Sequence, residues 1–120
     1  MSRTHTPNHI DYLEFPSADS EALKHSQRFL NAVFGWNYKR WGTTYADSIN
    51  SGLASGINAD QENRPQQPLA IIYTDDLSAM REKIVAAGGK ITLDTFSFPG
   101  GRRFHFREPG GIEMGVWSDK

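Results

Sequence analysis

Glu14 and Glu113 are the two residues whose type and setting best suit them for chemistry. Each interrupts a short apolar run that reads as a strand, Ile10 to Phe15 and Ile112 to Trp117. Residues two apart on a strand point to the same side, so Glu14 shares a face with Tyr12, and Glu113 with Gly115 and Trp117. A buried carboxylate is costly unless it is wetted, protonated or matched by a base, and Arg102 and Arg103 are the bases at hand. Glu14 and Glu113 therefore read either as catalytic or ligand-anchoring acids or as a structural pair or solvated trough edge.

Tyr12, Trp36, Tyr45 and Trp117 are the candidate ligand contacts among a larger aromatic set that includes Trp41, Phe104 and Phe106. Part of that set must be ordinary core, because aromatic rings bury large areas wherever they go. Rings beside small residues such as Gly56 and Gly115 would leave an open space with apolar walls and a few polar groups. A metal site would need His9 or His105 to join the two glutamates. His9 has the wrong parity relative to Tyr12, while His25 falls on the exposed side of a helix and His5 in the leading segment. The chain has no cysteine, so thiolate zinc sites, cysteine nucleophiles and disulfide frameworks are excluded.

The elements that must position these residues follow from periodicity. Residues 1–8 read as a flexible polar lead, and the strand Ile10 to Phe15 is expected to pack its Leu13 and Phe15 face. Asp19 or Ser17 caps a helix whose apolar positions Ala22, Phe29, Leu30, Val33 and Phe34 recur at helical spacing up to Gly35. Strands are expected at about Trp36 to Trp41, Thr44 to Ile49 and Leu53 to Ile57. The polar stretch after Ile57, with nothing larger than Ala59 to bury, reads as a surface linker.

The pattern then restarts. Leu69 to Thr74 reads as a strand, Asp75 or Asp76 as a cap, and Leu77, Met80, Ile84 and Ala87 as a helical stripe ending at Gly88-Gly89. Strands follow at Lys90 to Thr95, Arg102 to Arg107 and Ile112 to Trp117. Ser97-Phe98-Pro99-Gly100-Gly101 reads as a hinged flap or as a plain turn. The frame glycine, branched apolar, two residues, glycine, branched apolar occurs at Gly52-Leu53-Ala54-Ser55-Gly56-Ile57 and again at Gly111-Ile112-Glu113-Met114-Gly115-Val116.

The reading is thus a single domain over residues 1–120, with a first βαβββ unit at about 9–58, a linker at about 59–67 and a second unit at 68–117. The fold class is α+β: paired βαβββ modules form a curved, trough-like mixed sheet with the helices outside. The 13 basic and 14 acidic residues leave a net charge of −1, which gives no electrostatic reason to expect nucleic acid or an anionic membrane as partner. The polar start of the chain contains neither a signal peptide nor a membrane span, so a cytoplasmic location is expected.

Several pieces in this order resemble the vicinal oxygen chelate superfamily, the glyoxalase, bleomycin-resistance and ring-cleaving dioxygenase group. They are Leu13-Glu14-Phe15-Pro16 with Asp19, Val33-Phe34-Gly35-Trp36, Tyr73-Thr74-Asp75-Asp76-Leu77, Ala86-Ala87-Gly88-Gly89-Lys90 and Glu108-Pro109-Gly110-Gly111. Resembling sequences mostly have Asp where Glu108 stands and Asn where Ile112 stands. The resemblance implies a paired βαβββ fold, a small-molecule ligand and a homodimer. In the metal-using members it also implies ligand positions that fall here on Tyr12, Leu69, Gly115 and a position near Gly56. These do not make a divalent-cation site, which wants imidazole or carboxylate. The expected function is a metal-free binder of a small hydrophobic or aromatic molecule in the trough, with no cofactor. The alternative is a metal-dependent lyase, isomerase or dioxygenase with an atypical ligand set.

Overall fold

In the computed structural model, which describes residues 4–120, the chain is α+β: eight strands and two helices arranged as two βαβββ runs. The first run is β1 (Ile10–Pro16), α1 (Ser20–Phe34), β2 (Tyr38–Trp41), β3 (Tyr45–Ser48) and β4 (Ser55–Asn58). The second is β5 (Leu69–Tyr73), α2 (Leu77–Ala86), β6 (Lys90–Phe98), β7 (Gly101–Arg107) and β8 (Glu113–Ser118). The chain divides into two compact units, Tyr12–Leu69 and the remainder, so Ile10 and Asp11 fall with the second run.

In the Tyr12–Leu69 unit the strands pair in the order β2-β3-β4-β1, antiparallel except for the parallel β4–β1 pair. Asp19 caps α1 by accepting from the Ala22 amide at 2.8 Å, and Gly35 ends it at φ 74°, a left-handed conformation that glycine adopts without a side-chain clash. Leu23, Ala46, Ile57 and Ala59 form the core, with Leu30 and Tyr38 packed against it. The register places Ala46 opposite Ile57 and Phe15 beside it, so these share the helix side, while Tyr45, Asp47, Gly56 and Glu14 share the other.

Two expectations are overturned here. The Leu13 and Phe15 face of β1 is not the more enclosed one: Phe15 is 39% exposed, whereas Glu14 is fully buried, because hydrogen-bond donors meet its carboxylate. The expected stripe of α1 also does not pack as a whole. Leu23 and Leu30 turn to the strands, but Phe29, Val33 and Phe34 remain exposed, since the four-residue strands β2 to β4 present only a narrow apolar row.

The segment 59–67 carries neither helix nor strand, yet it is tied down. Ala59 donates its amide to the Thr44 carbonyl at 2.7 Å, Arg64 reaches the Ser17 carbonyl at 2.6 Å, and Gln61 reaches that of Ala18. Pro65 is buried along with Ala59.

The other unit pairs its strands in the order β5-β8-β7-β6. Asp76 caps α2 through the Ala79 amide at 3.0 Å, and Leu77, Phe104, Phe106 and Val116 form the core beneath it. The β6–β7 hairpin closes tightly, with Phe98 opposite Gly101, so Ser97 to Gly101 is plain turn chemistry rather than a flap. Before β8, the Glu108 carboxylate accepts from the Gly110 and Ile112 amides at 2.9 and 2.8 Å, while Gly111 takes φ 105°. Those two amide donors hold the Glu108 carboxyl below the usual carboxylate range.

The leading residues are more ordered in their contacts than a polar lead implies. His5 stacks on Tyr73 at 5.0 Å, meets Trp117 edge-on at 4.8 Å and hydrogen-bonds Asp11 at 3.0 Å. Residues 1–3 of the expected lead lie outside the described residues.

Candidate functional site

The face of the Tyr12–Leu69 unit turned away from α1 gathers its polar groups over one glycine. Alternation on β1 puts Tyr12 and Glu14 there, alternation on β3 puts Tyr45 and Asp47 there, and β4 contributes Gly56 and Asn58. Tyr12 donates to Asp47 Oδ1 at 2.8 Å, and Tyr45 donates to Glu14 Oε1 at 2.7 Å. The two phenol oxygens stand 3.1 Å apart, and Asn58 donates its side-chain amide to Glu14 Oε2 at 3.2 Å. The result is a continuous chain from Asp47 through Tyr12 and Tyr45 to Glu14 and Asn58.

Gly56 is what lets the tyrosines close over the strand. A Cβ at that position would overlap the Tyr12 hydroxyl and stand 2.7 Å from the Tyr45 hydroxyl. Both phenols titrate well above their ordinary value, chiefly because burial penalises the phenolate; for Tyr45 the Glu14 charge adds to this, and for Tyr12 the hydrogen bond from Tyr45 opposes it while the Asp47 charge adds a lesser increment. They are therefore neutral hydrogen-bond donors at any ordinary pH. Arranged this way, Glu14 has a donor on each carboxylate oxygen, both phenol protons are committed to carboxylates, and the phenol oxygens keep acceptor capacity for a polar group of a ligand.

In the other unit, β7 and β8 present a second polar face opposite α2. Arg103 pairs in register with Trp117 and His105 with Gly115, both basic side chains being buried. His105 meets the ring of Phe96 edge-on at 6.1 Å, and the Arg103 guanidinium lies 5.3 Å from the same ring. Trp117 donates its indole N–H to Asp11 Oδ2 at 2.9 Å and packs edge-on against Tyr73. Glu113 sits at the partly exposed end of this face, accepting from the Thr92 hydroxyl at 2.6 Å with Arg107 at 3.9 Å.

The expected site residues thus separate. Tyr12, Glu14 and Tyr45 come together as one hydrogen-bonded group. Glu113 and Trp117 belong to the other unit, each with its own partners there. Trp36 stands apart, at the end of α1, with its ring tilted on Phe34 at 5.3 Å. Asp47 and Asn58 were missed, although their two- and one-residue offsets from Tyr45 and Ile57 carry the parity signal that places them. His105 takes its face from the regular β7–β8 register, opposite Gly115, although its pairing with β6 is irregular.

The metal positions implied by the resemblance do not fit a divalent cation. Leu69 and Gly115 carry no donor atom, and the space above Gly56 is taken by two neutral phenols. Among the described residues no three His, Cys, Asp or Glu side chains come close enough to hold an ion. Among the same residues no helix is long and apolar enough to cross a membrane.

No protein-family model matches the chain. In an alignment 126 positions long that covers 96% of this chain, it is 28% identical to a protein of Mycobacterium tuberculosis named "Putative glyoxylase CFP32", and the match covers 46% of that protein. The chain therefore spans about half the length of the curated relatives it matches. The Mn(II)-bound glyoxalase from Novosphingobium aromaticivorans superposes with a TM-score of 0.65 at 21% identity, over 94% of this chain and 39% of that one. A glyoxalase/bleomycin resistance protein/dioxygenase superfamily member from Vibrio splendidus superposes with a TM-score of 0.65 at 13% identity, over 89% and 96% of the two chains. Fold and sequence match together bear out the resemblance to the vicinal oxygen chelate, or glyoxalase/bleomycin-resistance/dioxygenase, superfamily.

Proposed function

We propose that the chain is a metal-free binding protein of the glyoxalase/bleomycin-resistance kind that holds a small hydrophobic or aromatic molecule. The observation that carries this reading is the pair of neutral phenols over Gly56, which fills with hydrogen-bond donors a place where metal-using relatives need a ligand. Tyr12 and Tyr45 offer flat apolar surface with a polar tip, the combination that orients a ring-bearing ligand. A thermal-shift screen of small aromatic compounds tests it, since a ligand present at one hundred times its Kd raises stability by about 2.7 kcal/mol. A library that yields no stabilising compound sinks the reading.

A second reading is a metal-dependent lyase, isomerase or dioxygenase, favoured by the names carried by the mycobacterial relatives and by the Mn(II)-bound neighbour. Elemental analysis of protein purified without chelators separates the two: near-stoichiometric Zn, Ni, Fe or Mn decides for the enzyme. If metal is absent, a Glu14→Gln variant that binds ligand but loses turnover identifies a metal-free enzyme with Glu14 as acid or base. The proposed assembly is a homodimer, for which sedimentation at a single monomeric mass is the contrary result.

A further inference from the structure

A cleft of about 390 Å³ opens between α1 and β2, on the helix side of the Tyr12–Leu69 unit and so away from the tyrosine network. It is lined by Lys24, Gln27, Arg28, Asn31 and Arg40. Four of these fall on α1 at spacings of three, one and three residues, which places them on one stripe of the helix, and Arg40 faces them from the strand. The lining holds three cations and no carboxylate, in a protein whose net charge is −1.

These cations are poorly compensated. Arg40 donates one NH to Gln27 Oε1 at 3.5 Å and another to the Thr43 carbonyl at 2.9 Å, while its buried Nε has no acceptor. Neutral acceptors satisfy hydrogen bonds but leave the charge itself uncancelled. Lys24 has only the exposed Glu21 at 3.3 Å, an i,i+3 surface pair of small energetic weight. Arg28 has no ion pair among the described residues. Fixed donors and two excess positive charges in a concave space are what an oxyanion of charge −2 requires. The volume falls in the range of small-molecule sites, about 300–1,000 Å³, so it has room for more than a bare ion.

We propose that this cleft is a binding site for a small phosphate monoester, with Arg40 and Arg28 gripping the phosphate dianion and Lys24 at its edge.

Isothermal titration with glycerol 3-phosphate, inorganic phosphate and sulfate at constant ionic strength tests the assignment. The expected result is saturable binding of glycerol 3-phosphate with Kd below about 1 mM, tighter than either inorganic ion. Arg28→Ala and Arg40→Gln should each weaken it about tenfold or more. Arg28 is exposed, so its variant keeps the test valid if Arg40→Gln fails to fold. Lys39→Ala removes an exposed cation outside the cleft that sits over Trp41, and should leave the affinity unchanged. Absence of saturable binding, inorganic phosphate binding as tightly as the ester, or equal losses in Lys39→Ala and Arg28→Ala would each overturn the proposal.

Discussion

The hydroxyl of Tyr45 stands 2.7 Å from Oε1 of Glu14, a carboxylate with no exposed surface. Burying an acid this way is tolerable only if donors replace its lost water. Tyr45→Phe keeps the ring and deletes the donor, so it should destabilise the protein by about 1–3 kcal/mol in urea unfolding. An unchanged midpoint would mean that the phenol contributes nothing to holding the acid in place.

Gly56 should be intolerant of even a methyl group, because the nearest atoms are held by hydrogen bonds rather than free to swing away. Gly56→Ala is expected to cost about 1–3 kcal/mol through overpacking. In a Tyr12→Phe background, which removes the nearest obstructing atom, the same change should cost less, with a coupling of about 0.5–3 kcal/mol in a double-mutant cycle. Additive losses would show that the two residues do not compete for the same space.

The phenols also make a prediction about alkaline pH. All four tyrosines titrate above their ordinary value in the folded chain: burial is the leading cause for Tyr12, Tyr38 and Tyr45, and the hydrogen bond to Asp119 for Tyr73. A group whose folded pKa is raised stabilises fully below its unfolded pKa, about 10 for tyrosine, and loses that contribution as pH rises further. Absorbance at 295 nm should therefore stay low through pH 10 and rise together with loss of secondary structure, the two transitions coinciding. Smooth titration of four phenols in a still-folded protein is the opposing outcome.

Much of this architecture could be read from residue order alone. Asp19 and Asp76 announce their helices because a short acceptor before an apolar period has few other uses, and the repeated glycine frame locates β4 and β8 within one or two residues. The exposed Phe29, Val33 and Phe34 were not foreseen, since helical periodicity reports that a face is apolar and says nothing about how wide a surface it meets. Tyr12 and Glu14 were legible as one face of a strand, and Tyr45 only as a separate candidate. Joining them requires the β3–β4 register together with the β1–β4 register, and the latter pairs residues 42 apart in sequence. The cleft was invisible at that level, because nothing in the short alternation of β2 says that Arg40 turns toward Gln27 on α1.

At the turn before β8 the expected acid-side behaviour is the reverse of that of the phenols. Glu108 is held below the ordinary carboxylate range by the Ile112 and Gly110 amides, so its contribution is present above the unfolded pKa and is lost as pH falls through the folded one. Glu108→Gln should lower Tm by a few degrees at neutral pH, with the gap to the parent protein narrowing toward pH 3. A gap that is constant with pH would mean that the charge of the carboxylate is irrelevant to the turn.

Gly56 also constrains the order in which substitutions could convert one kind of protein into the other. A histidine or glutamate introduced there meets the Tyr12 hydroxyl before it can reach an ion, so the glycine is not a free position awaiting a ligand. Tyr12 must change first, and that change strips Asp47 of its phenol donor. Any lineage or engineering route toward a metal centre at this place therefore passes through an intermediate that has lost the hydrogen-bonded network and not yet gained the ion.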